Sequence, residues 1–177
     1  MNRTSLRLRP LRCEDAPVFS GWGGDRSFRQ HTGWTVTSSA ALYGFWLQQV
    51  EDPPAGLVRM AVEDPTVGEL VGYVDLHGSD LGEKELGFVI GPSHRWGQGL
   101  GRCAAEAGLA YGFEALGVER IWAEALAANT ASVRILRAIG MEETGRGGPG
   151  EFLGRESYYV QFSICRSAWT DDGDMPS

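Results

Sequence analysis

The chain has 177 residues, 42% of them hydrophobic, enough for one sizeable core and too few for two, so a single domain over 1–168 is expected, followed by a disordered acidic tail, 169–177. A formal net charge of −7 and a pI near 5.0 argue against general binding to nucleic acid phosphates. No run approaches the roughly 20 apolar residues of a membrane span, and the Arg-rich start lacks an apolar leader, so a cytoplasmic protein with no membrane partner is expected.

In chain order, Leu6 and Leu8 alternate with Arg7 and Arg9, which predicts a half-buried first strand. Asp15 to Phe19 opens a short helix with Pro17 early, and Ser39 to Glu51 forms a second one stopped by Pro53-Pro54. Between them, Gly21 to Trp34 reads as a glycine- and aromatic-rich connection. Leu57 to Glu63 and Glu69 to Leu76 are strands joined by the turn Asp64 to Gly68, and after a second turn, His77 to Lys84, a third strand follows at Glu85 to Ile90.

Helical spacing then sets in at Leu100, Ala104, Ala107 and Tyr111, with Gly117 placed as a C-terminal stop. A strand, Arg120 to Ala125, precedes a helix from Thr130 to Ile139, with Asn129 as its cap and Gly140 closing it. Ser157 to Ile164 is the last strand. The class is α/β with a mixed sheet. Cys13, Cys103 and Cys165 are odd in number and lack C-x-x-C spacing, so they are expected to be free and mostly buried.

The most informative stretch is Trp96-Gly97-Gln98-Gly99-Leu100-Gly101, a glycine turn that opens a helix. Such a turn leaves backbone N–H groups unpaired at the positive end of the helix dipole, which makes an anion site, and Arg95 and Arg102 flank it. By itself the motif is equally compatible with a flexible turn. A Walker A loop fails, because Gly101 is followed by Arg102-Cys103 rather than Lys and Ser or Thr. Gly99 to Ala104 satisfies G-x-G-x-x-A, but Gly91 to Gln98 separates it from its strand, whereas a dinucleotide fold requires a tight turn there.

Taken together, the strand Leu86-Gly87-Phe88-Val89-Ile90, the glycine loop and the helix Asn129-Thr130-Ala131-Ser132-Val133-Arg134-Ile135-Leu136, ending at Gly140-Met141, resemble the GNAT superfamily of acetyltransferases, and most closely its RimJ/RimL-like branch. The resemblance implies a mixed, largely antiparallel sheet flanked by helices and splayed at the cofactor site. It also implies direct transfer from acetyl-CoA, without a metal or a covalent enzyme intermediate. Phe88, Val89 and Ile90 would pair with the pantetheine arm, with N–H groups at or near Val89 polarising the thioester. Trp96, Gly97, Gln98, Gly99, Leu100, Gly101 and Arg102 would hold the pyrophosphate. Asn129 and Ser132 would face the pantetheine and sulfur.

Three positions depart from the pattern: Trp96 stands at the loop's usual Gln or Arg, Cys103 at a frequent Glu, and Leu136 at a Tyr that often protonates the leaving thiolate. An aromatic residue at the first position is common in the RimJ/RimL-like branch, whereas the last departure removes the usual general acid.

Catalytic roles are accordingly expected at Glu85, as a base acting directly or through water, and at Ser132, as a donor to sulfur; solvated-turn and self-capping roles are the plain alternatives. Asp75 is a lesser base candidate, and His94 a loop residue. Trp22, Phe28, Trp34, Tyr43 and Trp46 are expected mostly to pack helices onto the sheet. The predicted activity is acetylation of a primary amine, on a protein N-terminus or a small molecule, by a monomer or homodimer. The alternative is a CoA-binding module without turnover.

Overall fold

The computed structural model describes residues 6–35, 38–79 and 81–169; the expected acidic tail lies almost wholly outside them. A seven-stranded sheet runs in the order β1 (Arg7–Pro10), β2 (Leu57–Asp64), β3 (Glu69–His77), β4 (Glu83–Ile90), β5 (Arg120–Leu126), β7 (Arg155–Cys165), β6 (Glu142–Phe152). All neighbours are antiparallel except β4 and β5.

The helices are α1 (Ala16–Trp22), α2 (Arg26–Thr32), α3 (Ser39–Glu51), α4 (Leu100–Ala110) and α5 (Thr130–Ala138). α3 has the predicted bounds because Ser38 accepts a hydrogen bond from the Ala41 N–H and Pro53 cannot continue it. α2 falls within the stretch read as a connection. Its signals were local and short: Asp25 accepts from the Phe28 N–H, and Gly33 terminates the helix at φ 71°. β6 was also unforeseen, since E-E-T-G-R-G-G-P-G-E-F carries four glycines and a proline. It persists as an edge strand paired to β7, with register shifts at Glu143/Gly145 and Arg146/Pro149 that absorb those residues.

Strand alternation sends side chains to two different cores. On one face, α4 and α5 cover Val74, Leu86, Ile90, Ile121, Ala123, Val160 and Phe162. On the other, Phe19, Trp22, Phe28, Trp46 and Tyr73 form an aromatic cluster under α1 to α3. Packing is thus the role of Trp22, Phe28 and Trp46, as expected, while Tyr43 is exposed. The cysteines are not the buried thiols expected: Cys13 and Cys165 are exposed and Cys103 is intermediate, because each falls at an element edge or on a helix flank turned from the core.

Candidate functional site

β4 and β5 begin as a parallel pair and then part. Their register covers only Glu83↔Arg120, Lys84↔Ile121 and Glu85↔Trp122, so from Leu86 onward β4 has β3 on one side and an open wedge on the other. Glu85 stands at the vertex of this fork. The orientation of the open edge follows from the ladder: Gly91 N–H donates to Val71 C=O at 3.0 Å in the same register that pairs Tyr73 with Val89. Antiparallel pairs alternate, so Val89 and Gly87 direct their backbone groups to β3, while Leu86, Phe88 and Ile90 direct theirs into the fork. This corrects the expectation for Val89. Its N–H is consumed by the sheet, and its side chain packs on the aromatic cluster.

Two helices start at the open end of the fork, α4 after β4 and α5 after β5. In α4 the first helical bond is Cys103 N–H to Gly99 C=O, and no side chain caps the turn, which aims the N–H groups of Leu100 and Gly101 at the open end of the fork. Gly97 and Gly99 have φ of 76° and 81°, and space is open around both, so the backbone conformation itself calls for glycine. Gly101 serves a different end: a Cβ there would lie 2.9 Å from Ile135 Cδ1, so glycine lets α4 and α5 approach.

The loop's side chains divide. Trp96 donates its Nε1–H to Ile90 C=O at 2.7 Å, tying the loop to the end of β4. Leu100 is buried in the core and can offer only its backbone. Gln98 Nε2 donates to His94 C=O, and Arg102 pairs with Glu106 at 2.7 Å on the outer face of α4. Arg95, expected to lend positive charge, instead bridges Asp64 at 3.4 Å and Glu69 at 3.0 Å, which turns its charge toward the β2–β3 turn.

At α5, Asn129 accepts from the Ser132 N–H at 3.3 Å, the cap the sequence implied, and the Ser132 side chain is half-buried beside it. Leu136, where a phenol was missing, is a core residue at 1% exposure, so packing accounts for it.

Polar side chains cover the face of the fork opposite α4 and α5. Along β5, the buried Ile121, Ala123 and Ala125 alternate with half-buried Trp122, Glu124 and Leu126, so Trp122 and Glu124 share a face with Glu85. Burial holds the Glu85 carboxyl above its ordinary range, the charge of Glu124 adds to this, His77 opposes it, and Asp75 adds a smaller push. A carboxylate displaced toward neutral pH is suited to accept a proton. Asp75 is engaged elsewhere: Arg59 grips both its oxygens at 2.7 and 2.6 Å while stacking on Trp46 and Tyr73. Nor does Tyr73 replace the missing acid at the fork, since burial pushes its phenol up to about 12 and it belongs to the aromatic cluster.

Sequence reading missed Trp122, Glu124, His31 and Phe152. Period-2 alternation along β5 places the first two on one face, but only the register beside β4 puts Glu124 near Glu85. Nothing local pointed to the last two. His31 packs against Trp96 at 4.8 Å and Phe152 at 5.5 Å between ring centroids, a contact between α2, the glycine loop and the tip of the β6–β7 hairpin.

Known proteins share this architecture. Residues 5–142 match the model of the Acetyltransferase (GNAT) domain. An uncharacterized N-acetyltransferase, p20 of Bacillus licheniformis, is 25% identical over 144 residues, covering 79% of this chain and 80% of that protein. A second, YoaA of Bacillus subtilis, is 34% identical over 92 residues, half of each chain. Among solved structures, a GNAT-family acetyltransferase from Bacillus anthracis superposes with a TM-score of 0.77 at 21% identity, covering 94% of this chain and 98% of that one. The spermidine N-acetyltransferase of Vibrio cholerae, in complex with CoA and spermine, superposes with a TM-score of 0.78 at 23% identity over the same shares. With the splayed sheet, the uncapped helix behind the glycine loop and a family match over most of its length, this chain belongs to the GNAT family of N-acetyltransferases.

Proposed function

We propose that the protein transfers an acetyl group from acetyl-CoA to a primary amine, and that it belongs to the RimJ/RimL-like branch, to which Trp96 at the head of the glycine loop points. The observation that carries the reading is the fork: a β4 edge open at Leu86 and Phe88 leads from Glu85 to the uncapped start of α4. The residues present suit the donor. Leu100 and Gly101 offer backbone N–H groups to its pyrophosphate, with Arg102 beside them, Phe88 and the Ile90 N–H offer backbone groups to its pantetheine arm, and Asn129 and Ser132 stand at the start of α5. When bound, acetyl-CoA supplies the activated acyl carbon.

The rest falls to this chain. Glu85 accepts a proton, directly or through water, from the acceptor ammonium, and the neutral nitrogen forms the new C–N bond. Backbone N–H groups of the open β4 edge stabilise the oxyanion; as the C–S bond breaks the nitrogen sheds its second proton to water, and the thiolate departs. A thiol of pKa about 8.5 leaves with water or the Ser132 hydroxyl as proton source, so Leu136 does not block turnover. The half-buried carboxylates Glu85 and Glu124 and the overall charge of −7 favour a cationic small-molecule acceptor over a protein N-terminus. A spermidine acetyltransferase among the similar structures supports the same choice.

The test has two arms. Acetyl-CoA should raise the melting temperature while NAD(P) should not, and thiol should be released on adding primary amines, diamines and polyamines ahead of a peptide bearing a free N-terminus. Stabilisation by NAD(P) alone would sink the donor assignment. Unchanged turnover in Glu85→Gln would sink the base.

A further inference from the structure

The β6–β7 hairpin reaches beyond the strand it leans on. β5 ends opposite Tyr159, yet β6 and β7 continue to pair through Pro149↔Tyr158, Gly150↔Ser157, Glu151↔Glu156 and Phe152↔Arg155. This extension curls over the face that carries Glu124. A Cβ on Gly147 would sit 3.4 Å from Glu124 Oε2, and one on Gly150 would sit 2.5 Å from Leu126 Cδ2, although β7 lies between those strands in the sheet. Its tip places Phe152 against His31, and His31 against Trp96, whose indole is bonded to the end of β4. The open end of the fork is therefore bridged by three rings from three separate elements.

His31 is the middle ring, and its orientation is held. Its Nδ1–H donates to the Ser27 carbonyl at 2.8 Å, one turn back in α2. Trp96 is at once part of the glycine loop and part of this bridge, so an unbroken path of ring contacts runs from the loop through His31 to the hairpin that passes Glu124. We infer that His31 is a positioning residue that couples the donor loop to the acceptor wall: occupation of the glycine loop fixes Trp96, His31 and Phe152 in contact, and this closes the hairpin over the amine. The inference rests on the reading of the fork as the meeting place of donor and acceptor. It adds that amine affinity depends on prior donor binding.

The experiment is hydrogen exchange at the hairpin amides, residues 150–155, with and without CoA, in the wild type, His31→Ala and His31→Phe. CoA should slow exchange there by roughly tenfold in the wild type and in the ring-preserving His31→Phe, and leave it unchanged in His31→Ala. In turnover, His31→Ala should raise the amine KM by roughly tenfold with kcat near wild type and, since the coupling is reciprocal, raise the acetyl-CoA KM at saturating amine by a similar factor. His31 is exposed, and equal melting temperatures for the three proteins would establish that the fold is kept. CoA that raises the melting temperature yet leaves the hairpin equally protected in all three overturns the coupling alone. CoA that does not raise it overturns the donor reading and the coupling together. An amine KM unchanged in His31→Ala, or raised equally in His31→Phe, rejects the ring contact as the cause.

Discussion

Each glycine and carboxylate at the site has its own physical reason. Gly97 and Gly99 occupy left-handed backbone in open space, so an alanine at either is expected to cost about 1 kcal/mol from the backbone alone, read as a lower urea midpoint with an unchanged slope. Glu85 makes a pH prediction with a definite sign. Its folded value is raised by burial and by Glu124, so its contribution to stability is complete below the unfolded carboxylate value and is lost as pH rises through the raised folded one. Glu85→Gln should thus melt higher than the wild type at pH 7, with the difference vanishing toward pH 4. Removing the neighbouring charge with Glu124→Gln should lower the Glu85 value, moving the acid limb of the kcat/KM profile to lower pH. An acid limb that stays in place in that variant would show that Glu85 does not set it. Glu85 was legible from its position before a recognisable strand, whereas Glu124 was not, because its role depends on which strand lies beside β5.

At the scale of elements, close approach decides more than propensity does. α4 sits on the sheet through Gly108, where a Cβ would lie 2.7 Å from Leu86 Cδ1 and 2.8 Å from Val74 Cγ1. Both neighbours are core residues without room to move, so Gly108→Ala should destabilise by about 1–3 kcal/mol, despite the better helix propensity of alanine. An increase in stability would show that the core yields more readily than its packing implies. The first strand is anchored differently. Arg9 binds Asp15 with two hydrogen bonds of 2.8 and 2.7 Å and Glu63 with a third of 2.7 Å, linking β1 to β2 and to the turn before α1. Arg9→Ala leaves the buried Asp15 charge without its guanidinium and should cost on the order of 3 kcal/mol in denaturant unfolding. Arg9→Lys should recover only part of that, since an ammonium cannot make the bidentate contact.

For the whole molecule, the proposed donor site is assembled from the ends of two parallel strands and the starts of two helices, so ligand affinity and global stability would be linked. A donor present at 100 times its Kd should stabilise by about 2.7 kcal/mol, a rise of roughly 5–10 °C in melting temperature for a domain of this size. The same linkage explains how far the sequence could be read. Periodicity and caps exposed most strands and helices, since α3, α4, α5 and β2 to β5 bury one face and carry their own signals. They failed where an element is held by its neighbours: α2 is seven residues long, and β6 is rich in glycine and stable only through β7.

What the sequence determined by itself is the set of elements on the proposed donor side: a strand, a glycine loop that opens a helix, and an Asn-capped helix, all within contiguous segments whose backbone preferences are local. What only the tertiary structure decided is how the other wall of the fork is put together. Which backbone groups of β4 face the fork depends on hydrogen-bond alternation with β3, the environment of Glu85 depends on Glu124 across the strand gap, and the bridge of His31, Trp96 and Phe152 joins residues more than 120 positions apart. Such relations arise from register and from the curl of a hairpin, which are set by packing across the sheet and leave no periodic trace in the chain.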